Sequence, residues 1–117
     1  MNANNSTVWT PPEATDPALA EAVRRLAQVY TPECIYLFGS VARGDAGPDS
    51  DYDILIVVPD TASFEQRRSI IGYQALAGLG IAKDLLVWTR AEFDKRLHLK
   101  SSLPATVVRE GKVMYAA

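Results

Sequence analysis

The chain has 117 residues, 48% of them hydrophobic, and a net charge of −2. That length suits one compact domain with a modest core and leaves no room for a second of ordinary size. The near-balanced charge, with its basic residues scattered, excludes the broad positive footprint of a protein that tracks a nucleic-acid backbone, so a phosphorylated ligand is expected to be small or to arrive with metal. The single cysteine, Cys34, lies inside the apolar run CIYLF; it rules out an internal disulfide, fits a reducing compartment and reads as packing. The leading MNANNSTVWTPPEATDP has neither the basic nor the apolar region of a signal peptide, and no apolar run reaches the ~18 residues of a membrane helix. The expectation is a cytoplasmic protein with no membrane partner.

Residues 1–15 are polar and broken by Pro11 and Pro12, which predicts a loose tail pinned at most by Trp9; residues 16–117 form the predicted domain. Asp16 before Pro17 reads as an N-cap with proline at the first helical position. Leu19, Val23, Leu26 and Tyr30 then recur at helical spacing as far as Thr31-Pro32. Cys34 to Phe38 predicts a buried strand halted by Gly39, Ser40 to Arg43 a short helix, and Asp53 to Val58 a central strand that Pro59 ends. Ser63 with Gln66 makes a capping box for a long second helix down to Gly80, with Phe64, Ile71, Ala75 and Gly78 along one helical face. Ile81 to Trp88 predicts a third strand, Thr89 with Glu92 opens a helix of about two turns through Leu97, and Ser102-Leu103-Pro104 opens a last helix. Gly111 closes that helix before an edge strand over Lys112 to Tyr115. This alternation argues an α/β (α+β) fold, a small mixed sheet of three or four strands flanked by helices.

The stretch Gly39 to Asp53, GSVARGDAGPDSDYD, concentrates the chemistry. Gly39 and Gly44 have P-loop spacing, but Asp45 and Ala46 stand where that motif needs Lys and Ser or Thr. Asp49, Asp51 and Asp53 start like a calcium loop, yet Ile54 replaces its glycine and Asp60 its final glutamate. Metal-assisted phosphoryl chemistry survives. Asp51 and Asp53 are two apart, so on a strand both carboxylates face one way with Cα atoms roughly 6.5 Å apart, and can bracket two Mg²⁺ ions about 3.5–4 Å from each other. Gly39 lets the chain approach a phosphate, Ser40 adds a hydroxyl, and the amides of the following helix start add more. Asp84 interrupts an apolar strand, where an unpaired carboxylate is costly; beside the other two it would share a metal and accept the proton of an attacking hydroxyl. A salt bridge to Lys83 is the plainer alternative, but strand neighbours point to opposite faces. For Gly39-Ser40 and Asp51 to share a site, the first two strands must run antiparallel.

These residues resemble a known family. Gly39-Ser40, ten residues, Asp51-x-Asp53 and a later strand with Asp84 look like the nucleotidyltransferase superfamily that includes DNA polymerase β and kanamycin nucleotidyltransferase. The GSVARGD form at Gly39 to Asp45 and the closing REGKVMY at Arg109 to Tyr115 look most like its minimal nucleotidyltransferase (MNT) members, over roughly residues 16–115. The resemblance implies triphosphate on Gly39 and Ser40, two Mg²⁺ on Asp51, Asp53 and Asp84, and a catalytic role for the same three carboxylates. It leaves Arg43 either on phosphate or in a surface ion pair with Asp45 or Asp49. It implies attack of a hydroxyl on the α-phosphorus of ATP and loss of pyrophosphate.

Larger relatives bring a second domain for the acceptor, and this chain has no room for one. The resemblance therefore implies a protein-adenylylating antitoxin acting on a HEPN-domain ribonuclease toxin. Two other readings stay open: an antitoxin that only masks its toxin, and a homodimeric small-molecule nucleotidyltransferase. His98, without a second metal-type ligand nearby, reads as surface, Arg67 and Arg68 as the solvated face of the second helix, and Tyr36 as core.

Overall fold

The structure, a computed structural model, describes residues 16–47 and 50–117. The expected tail over 1–15, with Trp9, and Asp49 lie outside the described residues.

Helix α1 spans Pro17–Tyr30, with Asp16 as its N-cap accepting from the Leu19 amide at 3.1 Å. It ends at Thr31, whose φ of 46° is left-handed and whose N–H returns to the Ala27 carbonyl. Strand β1 is Cys34–Phe38, helix α2 Gly39–Arg43 and strand β2 Tyr52–Val58. After a 3-10 turn over Glu65–Arg67 come helix α3, Ser69–Ala75, and strand β3, Lys83–Thr89. Helix α4 spans Arg90–Asp94, α5 Leu103–Glu110, and strand β4 Lys112–Ala116. The sheet order is β3-β2-β1-β4; β1 is antiparallel to both neighbours and β2 is parallel to β3. The mixed sheet flanked by helices, with the first two strands antiparallel, is as predicted.

Side chains alternate across a strand and paired residues share a face, so the register sorts the sheet into two sides. Ile35, Leu37, Ile54, Ile56, Val58 and Leu85 pack with Leu19, Val23, Leu26 and Tyr30 of α1 and with Leu76 beyond α3. Cys34, Leu55 and Val57 face the other way, onto Phe93 of α4 and Val107 of α5. Asp53 pairs with Phe38 on one neighbour and Asp84 on the other, so all three belong to this second side.

The second helix differs most from expectation. Its capping box forms, with the Ser63 amide donating to Gln66 Oε1 at 2.8 Å and the Gln66 amide to Ser63 Oγ at 3.2 Å. The helix then breaks at Arg68, which is extended at φ −76°, ψ 137°. Tyr30 supplies the reason: its hydroxyl donates to the Arg68 carbonyl at 2.6 Å and accepts from the Gly72 amide at 2.9 Å, standing where the first i→i−4 bond of α3 would run. Gly72 permits this contact, because a β-carbon there would sit 2.7 Å from Leu85 Cδ1 and 3.1 Å from Leu26 Cδ2. Phe64, expected on one helical face with Ile71 and Ala75, precedes the break and is 68% exposed, and Arg67, expected in solvent, is half-buried, stacked on Phe64 at 5.7 Å and 4.0 Å from Glu92.

Smaller differences follow from local bonding. The Thr89–Glu92 box forms, but α4 stops at Asp94 and passes into turns over 95–102, where the Ser102 hydroxyl donates to the Arg96 carbonyl at 2.7 Å. β3 starts at Lys83 instead of Ile81, since Ala82 contributes only its carbonyl, to the Tyr52 amide at 2.9 Å. Among the described residues no helix is long and apolar enough to cross a membrane.

Candidate active site

Because β1 and β2 run antiparallel, the C-terminal end of one meets the N-terminal end of the other. Phe38 opposes Asp53, and Gly39 turns the chain into α2 with φ +77°. A β-carbon on Gly39 would run into Asp53 Oδ2, with Asp53 Cγ 3.1 Å away, so only glycine fits the backbone and the space. Phe38 stands at the N-cap of α2 and gives no side-chain bond to its first amides. Ser40, half-buried, follows directly.

The parallel pairing of β2 with β3 brings Asp84 opposite Asp53, one strand spacing away, about 4.8 Å. Asp51 is exposed just before β2, Asp53 is half-buried and Asp84 is exposed at the start of β3. The Asp53 carboxyl is pushed above its ordinary value of 3.8, first by burial and then by the charges of Asp84 and Asp51, with Arg43 acting the other way. None of the ion pairs among the described residues involves Asp51, Asp53 or Asp84. The Lys83 ammonium turns instead to the Ile81 carbonyl at 3.3 Å.

Three uncompensated carboxylates at adjoining strand ends are hard oxygen donors of the kind that suits Mg²⁺. The backbone gathers them, yet among the described residues no three acidic, His or Cys side chains already converge on one cation position. Like charges at this spacing repel, and bringing the oxygens together takes a cation to offset that repulsion.

The start of β2 is fixed from the opposite side of the sheet. The Tyr52 hydroxyl donates to Asp16 Oδ2, which ties the N-cap of α1 to the residue between Asp51 and Asp53. That bond, and then burial, push the Tyr52 phenol up to about 12.

Arg43 lies in an ion pair with Asp45, Nε to Oδ2 3.3 Å, one of the partners expected from sequence. A second carboxylate, Glu110, stands 3.9 Å from its Nη1. Glu110 went unread in the sequence although it falls inside REGKVMY, because only the tertiary fold brings the end of α5 beside α2. Elsewhere on this face Tyr36 stacks on Phe93, 5.6 Å between centroids at 8°, and Arg96 lies over Trp88 at 5.7 Å. His98 is exposed, as expected.

Comparisons with known proteins place the arrangement. The family model described as a nucleotidyltransferase domain matches residues 17–110. No curated protein matches the sequence. A solved protein from Sulfolobus solfataricus assigned to the nucleotidyltransferases superposes with a TM-score of 0.58 at 24% identity, over 86% of this chain and 78% of its own. A mutant of the MntA-HpeT toxin–antitoxin gives 0.54 at 22% identity, over 81% of this chain and 70% of its own. A toxin–antitoxin solved with AMP-PNP gives 0.53 at 25% identity, over 82% of this chain and 72% of its own.

Proposed function

The chain belongs to the nucleotidyltransferase domain family, and from that premise we propose that it is an antitoxin that transfers AMP from ATP to a hydroxyl of a HEPN-domain ribonuclease toxin. The observation that carries the chemistry is the ladder position of Asp53, in register with Asp84 and pressed against a glycine that leaves room only for its carboxylate. Support for the partner is that two of the solved proteins with this fold are toxin–antitoxin assemblies, one of them with an ATP analogue.

In this reading Gly39, Ser40 and the first amides of α2 hold the triphosphate, with Arg43 drawn onto a phosphate oxygen. Asp51, Asp53 and Asp84 would hold two Mg²⁺, which when bound neutralise phosphate charge and make the attacking hydroxyl more acidic. Asp84, on the edge strand and exposed, faces the acceptor and takes the hydroxyl proton. The acceptor oxygen bonds to the α-phosphorus as its bond to the bridging oxygen breaks, and pyrophosphate leaves. The strand pairing supplies alignment in advance, which is where most of the rate in phosphoryl transfer originates.

Purified protein with Mg²⁺, labelled ATP and the partner encoded beside it is expected to label the partner. Asp51→Asn with Asp53→Asn should lower the rate by on the order of a thousandfold. Labelling that survives that pair of changes would remove the carboxylates from the mechanism. A toxin neutralised without any label would instead favour masking.

A further inference from the structure

We infer that Asp45 and Glu110 form a holding site for the Arg43 guanidinium, from which a bound triphosphate must draw it, so that Glu110 is a positioning residue that sets nucleotide affinity. The inference rests on the nucleotide reading above and extends it to two carboxylates outside the Asp51, Asp53 and Asp84 set.

Two chain reversals deliver these carboxylates. After α2, Gly44 is left-handed at φ +83°. Its amide returns to the Ser40 and Val41 carbonyls at 3.0 and 3.2 Å, and the Asp45 amide to Ser40 at 3.1 Å. Asp45 is thereby folded back alongside Arg43. At the far end of the sequence, the Gly111 amide closes α5 on the Val107 carbonyl at 2.8 Å. A β-carbon on Gly111 would lie 2.8 Å from the Leu37 carbonyl oxygen, so the end of α5 is seated on β1 just before the Gly39 turn, and Glu110 reaches α2.

Arg43 stands three residues after Ser40, about 4.5 Å along the helix axis, within reach of a phosphate on the turn. Its Nε donates to Asp45 Oδ2 at 3.3 Å, and the Glu110 carboxylate stands at ion-pair distance from its Nη1, 3.9 Å. The edge that includes Nε therefore has one donor engaged, and the Nη1–Nη2 edge lies beside a second negative charge, so a bidentate phosphate contact competes with both carboxylates. The Arg43 side chain is 45% exposed and that of Glu110 38%, and solvated pairs of this kind are weak enough to yield to a multiply charged ligand. Glu110 is itself shared with Arg109, Nη2 to Oε2 3.7 Å, so its charge stays partnered when Arg43 leaves.

The test is calorimetric binding of Mg²⁺·AMP-PNP to the full chain. Asp45→Asn with Glu110→Gln should tighten binding about fivefold, and the gain should vanish when the same changes are made in an R43M background. In turnover the KM for ATP should fall with kcat unchanged, and Glu110→Asp should behave as wild type. An equal gain in the R43M background would mean simple charge removal and overturn the inference, as would weaker binding with a lowered Tm, which would make the two carboxylates a structural clasp. Wild type that binds no nucleotide would overturn the underlying reading as well.

Discussion

On one side of the sheet Ile35, Leu37, Ile54, Ile56 and Val58 are sealed beneath α1 and α3, with Ile35, Ile56 and Val58 wholly inaccessible. On the other side Cys34, Leu55 and Val57 meet only the short helices α4 and α5, Leu86 remains 37% exposed, and the row continues into Asp53 and Asp84. The same strands thus present a sealed apolar surface one way and an unfinished, charged one the other. Stability is drawn chiefly from the first, and the second keeps charges that work against the isolated fold.

Changes on the sealed side are expected to cost stability and leave chemistry alone. Leu26, fully buried on α1, tests this most strongly. Leu26→Ala should lower unfolding free energy by about 3 kcal/mol while nucleotide affinity of the folded protein stays as it is. A large loss of affinity below Tm would show that the two sides are mechanically coupled. Tyr30→Phe should cost about 1–2 kcal/mol, since it strips the partner from the Arg68 carbonyl and the Gly72 amide, and urea unfolding would read it directly. If the variant is as stable as wild type, the break before α3 has another cause.

The smallest effect has the opposite sign. The folded-state pKa of Asp53 is raised above its unfolded value, so ionising it costs the fold stability as pH rises through that interval; below the ordinary value of 3.8 the cost is gone. In Mg²⁺-free buffer Asp53→Asn should therefore be more stable than wild type at pH 7, with the difference closing near pH 3.5. A less stable Asn variant at pH 7 would mean that the carboxylate is already compensated.

What could be read in the sequence were features whose causes are local. Asp16 with Pro17, Thr89 with Glu92, and Ser102 with Pro104 each satisfy amides three or fewer residues away, and their helices start where expected. Asp51-x-Asp53 stood out because carboxylates two apart at a strand entrance are expected to face one way, although β2 itself begins at Tyr52. The break at Arg68 was not, since its cause is a hydroxyl thirty-eight residues earlier in the chain. Nor was Glu110, whose place beside Arg43 depends on how α5 seats against β1.

The ladder between β1, β2 and β3 also bears on how the chain finds its pairing. Sliding β2 by one residue would exchange its faces, turning Asp53 toward the side sealed by α1 and forcing Ile54 and Ile56 into the row shaped for Leu55 and Val57. A carboxylate forced into that oily interior without a partner costs several kcal/mol, on top of the disrupted packing on both faces. Asp84, opposite Asp53 in the correct alignment, imposes the same penalty on a slipped β3. The acidic pair thus serves as a proofreader of strand pairing before any nucleotide arrives, because the wrong alignments are those that would drown a charge in hydrocarbon.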